Sequence, residues 1–192
     1  TIVTASYGSK TATSTVTVAS GAVSGDTPTL ALVTAVTGFT PKNASSTVSL
    51  SAGGLLKYND FAVGGKVPEI NIPGSTLSTS DSSTGKVEMK ANATIAGIDP
   101  GADQNFVGAS GYDLTPKDAD GNTIPDISGS ITVTMPYTDA DVSAAGVEES
   151  QLQFASYSTA AQAWESFPTT VDTVNNTLTA TITHFSSFGI LG

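Results

Sequence analysis

A chain of 192 residues is long enough to bury a core of its own, and its formal net charge is −10, with seven cations that are all lysine. That balance excludes a nucleic-acid binder, which needs clustered Lys and Arg to displace counterions from phosphate, and it disfavours anionic lipid. With no cysteine, neither disulfides nor thiolate metal sites contribute, and no apolar run reaches the length of a membrane span, so no membrane insertion is expected.

Charged residues make up only 12% of the chain, and Thr, Ser, Gly and Ala fill the gap. That suits sheets whose outer faces are covered by hydroxyls. Residues 2–7 and 10–18 read as a β-hairpin turning at Gly8-Ser9, because small or apolar residues alternate with hydroxyls along both. The Gly/Ser-rich stretch 20–28 reads as a linker, which divides the chain into an N-terminal β segment (1–20), a linker (21–28) and a β domain (29–192). Further strands are expected at 30–36, 47–50, 67–72, 86–95, 112–116, 131–136, 152–157, 177–183 and 188–191. Turn chemistry separates them, at Gly53-Gly54, Gly64-Gly65, Pro73-Gly74, Asp120-Gly121 and Asn175-Asn176. Only 139–145 suggests a helical turn. Short strands at this spacing predict an all-β, antiparallel two-sheet β-sandwich over residues 28–192, preceded by the N-terminal β-hairpin or strand extension. Ile131, Val133, Phe154, Trp164, Leu178 and Ile182 are its expected core. The chain begins at Thr1 without a basic–apolar leader, and so reads as a processed or excised piece whose targeting information lay upstream.

Residues 3–18, VTASYGSKTATSTVTV, resemble the last two strands of a bacterial group 2 Ig-like domain of the intimin and invasin type. Four later blocks are INIPGSTL at 70–77, ITVTMPYTDAD at 131–141, WESFPTTVDTVNN at 164–176 and TLTATITHFSSF at 177–188. In that order they resemble bacterial versions of the β-sandwich shared by zonula occludens proteins, netrin receptors and ankyrins, over about residues 66–192. The long Ser/Gly stretch 78–85 departs from the compact pattern of that family. The resemblance implies a repeated module of a large secreted or cell-surface protein, acting as spacer, adhesion module or assembly unit. Its expected partners are copies of itself, neighbouring surface-protein domains, or a glycan or host protein met through loops 78–85 and 101–111.

Three constellations admit more than one reading. His184, Phe185 and Ser186 are similar to the autoproteolytic triplet of some death-domain proteins of the same superfamily. By that likeness Ser186 is the nucleophile, His184 the base and Phe185–Ser186 the broken bond. The plainer reading extends the two-residue spacing of Leu178, Ala180 and Ile182 to His184, as a packed histidine at a strand end. Asp118, Asp120 and Asn122 alternate as in acidic calcium loops, but the twelfth position is Gly129 rather than the bidentate Glu such loops use. The competing reading is a β-turn at Asp120-Gly121, which leaves the domain without a cofactor. Trp164, Phe167, Phe154 and Tyr157 are either core aromatics or a sugar-stacking platform. No phosphate-cradling glycine motif or histidine-based metal set is present, and Glu148-Glu149 is read as solvent-facing. The expected role is non-enzymatic: assembly first, binding second, self-cleavage third.

Overall fold

The computed structural model describes residues 2–7, 10–15, 42–77, 83–101 and 104–192. The turn at 8–9, the linker at 20–28, the strand expected at 30–36 and most of the loop at 78–85 lie outside the described residues. The chain divides into two units, Thr1–Thr40 and Pro41–Gly192. In the first, β1 (Ile2–Tyr7) and β2 (Lys10–Thr15) pair antiparallel, from Ile2↔Thr15 to Tyr7↔Lys10.

The second unit holds β3 (Asn43–Ser49), β4 (Gly53–Lys57), β5 (Glu69–Pro73), β6 (Thr84–Asn92), β7 (Phe106–Asp118) and β8 (Ile131–Pro136). They are followed by β9 (Gln153–Ser158), β10 (Ala163–Ser166), β11 (Thr169–Asp172), β12 (Thr177–Ile182) and β13 (Ser187–Leu191). Among the described residues two short α-helices interrupt them, α1 (Ala93–Ala96) and α2 (Asp139–Ala145). The strands form an 11-stranded antiparallel order, β10-β9-β13-β7-β6-β3-β4-β5-β8-β12-β11. The unit is all-β, as expected, and its ladder is one continuous sheet curled into a half-barrel.

Side-chain alternation builds the concave face. In β8, Ile131, Val133 and Met135 are buried, and they lie opposite Ile182, Ala180 and Leu178 of β12. The intervening Thr134 and Thr179 stand on the other face, their hydroxyls 3.1 Å apart. In β6 the buried residues are Val87, Met89 and Ala91. The strand expected at 86–95 ends early, because the Asn92 side chain accepts from the N–H groups of Thr94 and Ile95 and caps α1. Pro116 is tolerated inside β7 because β13 pairs with that strand only as far as Asp113, and at 116 the chain accepts rather than donates, the Pro116 carbonyl taking the Ile124 N–H at 2.9 Å.

Two seams define the curl. β3 and β4 meet at a single pair, Ser49↔Gly53. At the opposite limits of the order, β10 and β11 are separated in sequence by only Phe167 and Pro168. Three Cα steps span about 11 Å at most. The two terminal strands must therefore approach one another, and the polar contacts agree: the Phe167 N–H donates to the Phe154 carbonyl at 2.9 Å, while the Phe154 N–H donates to Thr169 Oγ1 at 3.0 Å.

Ile131, Val133, Phe154, Leu178 and Ile182 are fully buried, as expected. Trp164 is not part of that core. It pairs with Tyr157, one residue out of phase with the Ser156↔Phe188 pair that faces inward, and so lies half-buried on the opposite face of the sheet.

Candidate functional site

The strand end that carries His184 and Ser186 opens beside the β9–β10 hairpin. The inward face of that hairpin brings Glu165 opposite Ser156, and Ser156 in turn opposite Phe188 of β13. A depression of about 250 Å³ results, lined by Ser156, Tyr157, Ser158, Thr159, Ala160, Glu165, His184 and Ser186. An aromatic layer packs against the His184 ring. Phe154 stacks on Phe188 with centroids 5.2 Å apart, Phe167 lies 6.1 Å from Phe188, and the His184 ring lies 5.7 Å from Phe167 and 6.2 Å from Phe188.

His184 does not continue the buried face of β12, contrary to the two-residue spacing. It is exposed. The pairing with β8 ends at Ile182↔Ile131, the first residue of β8, so no strand remains for His184 to lie against. The chain bends there and rejoins the sheet at Ser186, whose carbonyl accepts the Leu114 N–H at 3.0 Å. His184 and Ser186 border the same depression, yet no hydrogen bond joins them among the described residues. The bond between Phe185 and Ser186 is trans, and neither residue has a positive φ. The depression offers one imidazole, one carboxylate and a ring of hydroxyls: polar groups suited to holding a small polar ligand.

The acidic turn is closed by hydrogen bonds of its own. Asp118 Oδ1 accepts the Asn122 N–H at 2.8 Å, and Oδ2 accepts from Asn122 Nδ2 at 3.0 Å. The Asp118 N–H donates to the Asn122 carbonyl at 2.9 Å, and Gly121 takes φ 91°, which closes the turn. The Asn122 side-chain amide, followed by the backbone N–H groups of Asn122, Asp120 and Gly121, holds the Asp118 carboxyl below the usual range. Asn122 thus turns N–H groups toward the Asp118 carboxylate, while Asp120 is exposed. Among the described residues no group of three or more His, Cys, Asp or Glu could hold a metal ion.

The four aromatics considered as a platform part company. Phe154 and Phe167 join the core side, whereas Tyr157 and Trp164 pack at 5.5 Å on the other face, with Phe106 5.8 Å from Trp164. The Trp164 indole N–H is buried there without a hydrogen-bond partner. Nor is Glu149 simply solvent-facing, because it accepts the Tyr137 hydroxyl at 2.7 Å. Glu165 and Ser156 border the depression without having been singled out from sequence; only their cross-strand pairing brings them to His184. Part of the loop expected at 101–111 belongs to β7, which begins at Phe106.

No helix among the described residues is long and apolar enough to cross a membrane. Comparison with known protein families matches no family model to this chain, and comparison with curated proteins finds no match.

Proposed function

We propose that this chain is a structural, non-enzymatic assembly module of a secreted cell-surface or extracellular filament protein, and that it associates by β-strand addition. The observation that carries this reading is that β1 and β2 form a two-stranded sheet of their own, distinct from the curled ladder of the second unit with its own core. A lone hairpin is marginal in water and gains most by joining a larger sheet. The finer architecture belongs to the same proposal. With β3 and β4 touching at one residue pair and β10 running through Pro168 into β11, we read the ladder as two packed layers, a β-sandwich with one sheet at β10 to β3 and another at β4 to β11. That is the architecture implied by the resemblance to the domain of zonula occludens proteins, netrin receptors and ankyrins. Electron microscopy of the native protein tests the reading. Filaments or ordered arrays support it, and uniformly isolated particles at high concentration refute it.

The depression at His184 favours a second reading, a binding module for a polar ligand such as a glycan, since hydroxyls and one carboxylate are the groups that recognise polyols. Glycan-array binding lost in Glu165→Gln would support it. Self-cleavage at Phe185–Ser186 is tested by intact mass: two fragments in the wild type and one chain in Ser186→Ala would replace the structural reading with an autoproteolytic one.

A further inference from the structure

The charges of this chain are unevenly spread. Lys57 pairs with Glu69, and Lys86 and Lys117 both pair with Glu88. Beyond Lys117 the sequence has no Lys or Arg: residues 118–192 hold nine Asp and Glu and one histidine. All the residues that line the depression at His184 come from this stretch. Glu165 borders it and makes no ion pair among the described residues.

Ser156, only 2% exposed, stands in one cross-strand row between Glu165 of β10 and Phe188 of β13. Its hydroxyl has no hydrogen-bond partner among the described residues, yet only Trp164 Nε1 among them is both unbonded and sealed from solvent. The Ser156 hydroxyl is therefore reached from the depression that it lines. The wall is set in advance. Ser158 Oγ accepts the Ala161 N–H at 3.2 Å and Gln162 takes φ 51°, which together fix the β9–β10 turn. Groups held in place before a ligand arrives lower the cost of binding it.

We propose that the depression receives a cationic side chain, the ammonium of a lysine or the guanidinium of an arginine on a partner protein, with Glu165 as its counter-ion and Ser156 as an acceptor beneath it. Both groups carry donors and no acceptor, which is what a carboxylate and hydroxyl oxygens complement. An anionic ligand would meet the uncompensated negative charge of residues 118–192, and a neutral polyol would gain nothing from it. The proposal does not depend on assembly through the N-terminal segment, and it puts a cation where the second reading above puts a polyol.

His184 is the one histidine of the chain, so its imidazole resonances report on the depression alone. The full chain is titrated at fixed pH with N-acetyl-lysine methylamide, with N-acetyl-arginine methylamide and with the uncharged isostere N-acetyl-norleucine methylamide. The expected result is a saturable shift of the His184 resonances by a cation, weakened by added salt and absent with norleucine. The cation that binds more tightly identifies the side chain. Glu165 is exposed, so Glu165→Gln should keep the circular dichroism of the wild type while its affinity falls at least about tenfold, the loss of one charge-assisted hydrogen bond. Equal shifts with norleucine, a comparison that needs no variant, overturn the charged ligand, and so does undiminished binding in a folded Glu165→Gln. No saturable shift with either cation overturns it as well; a shift with a neutral disaccharide in their place returns the depression to the polyol reading.

Discussion

At Phe167–Pro168 the two ends of the ladder are fastened together, whereas at Ser49–Gly53 neighbouring strands part after one residue pair. The first seam has backbone and hydroxyl bonds from Phe154 to both Phe167 and Thr169, and three phenylalanines packed beneath it. The second is spanned by one buried phenol: Tyr58, just past β4, donates its hydroxyl to the Val87 carbonyl of β6 at 3.0 Å. Among the described residues, the curled sheet thus closes by covalent continuity on one side and is joined by a single residue pair on the other.

The largest expected effect is at the closed seam. Phe154→Ala removes a fully buried ring that touches Phe167 and Phe188, and should cost about 3–5 kcal/mol in denaturant unfolding. A cost comparable to that of an exposed substitution would mean the aromatic layer does not hold the two ends together. Next is the hinge of the second seam. Gly53 has φ 72°, and a Cβ there would stand 2.1 Å from the Ile72 carbonyl oxygen, so Gly53→Ala should destabilise by more than about 1 kcal/mol. Calorimetry that finds Gly53→Ala neutral would show that the β3–β4 corner can relax.

Smaller again is the contribution of the phenol spanning the second seam. Tyr58→Phe leaves the Val87 carbonyl short of a donor and should cost about 1–2 kcal/mol. Alkaline pH probes the same region. Burial raises the Tyr58 pKa, and burial with the nearby Asp141 carboxylate pushes the Tyr112 phenol up to about 12 from an ordinary 10. A phenol whose pKa is higher in the folded state contributes stability that is complete below pH 10 and is lost as pH rises toward 12. The melting temperature should therefore hold steady to about pH 10 and fall beyond it, more shallowly in Tyr58→Phe. Equal slopes for the two proteins would show that Tyr58 does not contribute to this linkage.

The contrast between the seams also separates what could be read in the sequence from what could not. Strands with unbroken alternation and a neighbour on each side, such as Ile131–Pro136 and Thr177–Ile182, announce themselves because burial on one face demands period two. β10 and β11 do not, since Trp164, Glu165 and Ser166 show no alternation and Pro168 reads as a break rather than as the bend joining two ends of one sheet. β4 hides behind Gly53-Gly54, where the residue that makes the turn also begins the strand. Within KVEMKANATI the cap at Asn92 is disguised by a continuing β-like pattern. The depression was legible only in part. His184 and Ser186 stand out by type, but the exposure of His184 depends on where β8 ends, and Glu165 reaches the site through pairing that leaves no local trace.

Sedimentation of the full chain beside a chain lacking residues 1–20 tests the central claim, that the module assembles by β-strand addition through its N-terminal segment. Concentration-dependent self-association in the full chain that disappears without residues 1–20 is the expected result. Monomers in both samples, or self-association that survives the deletion, would contradict the account.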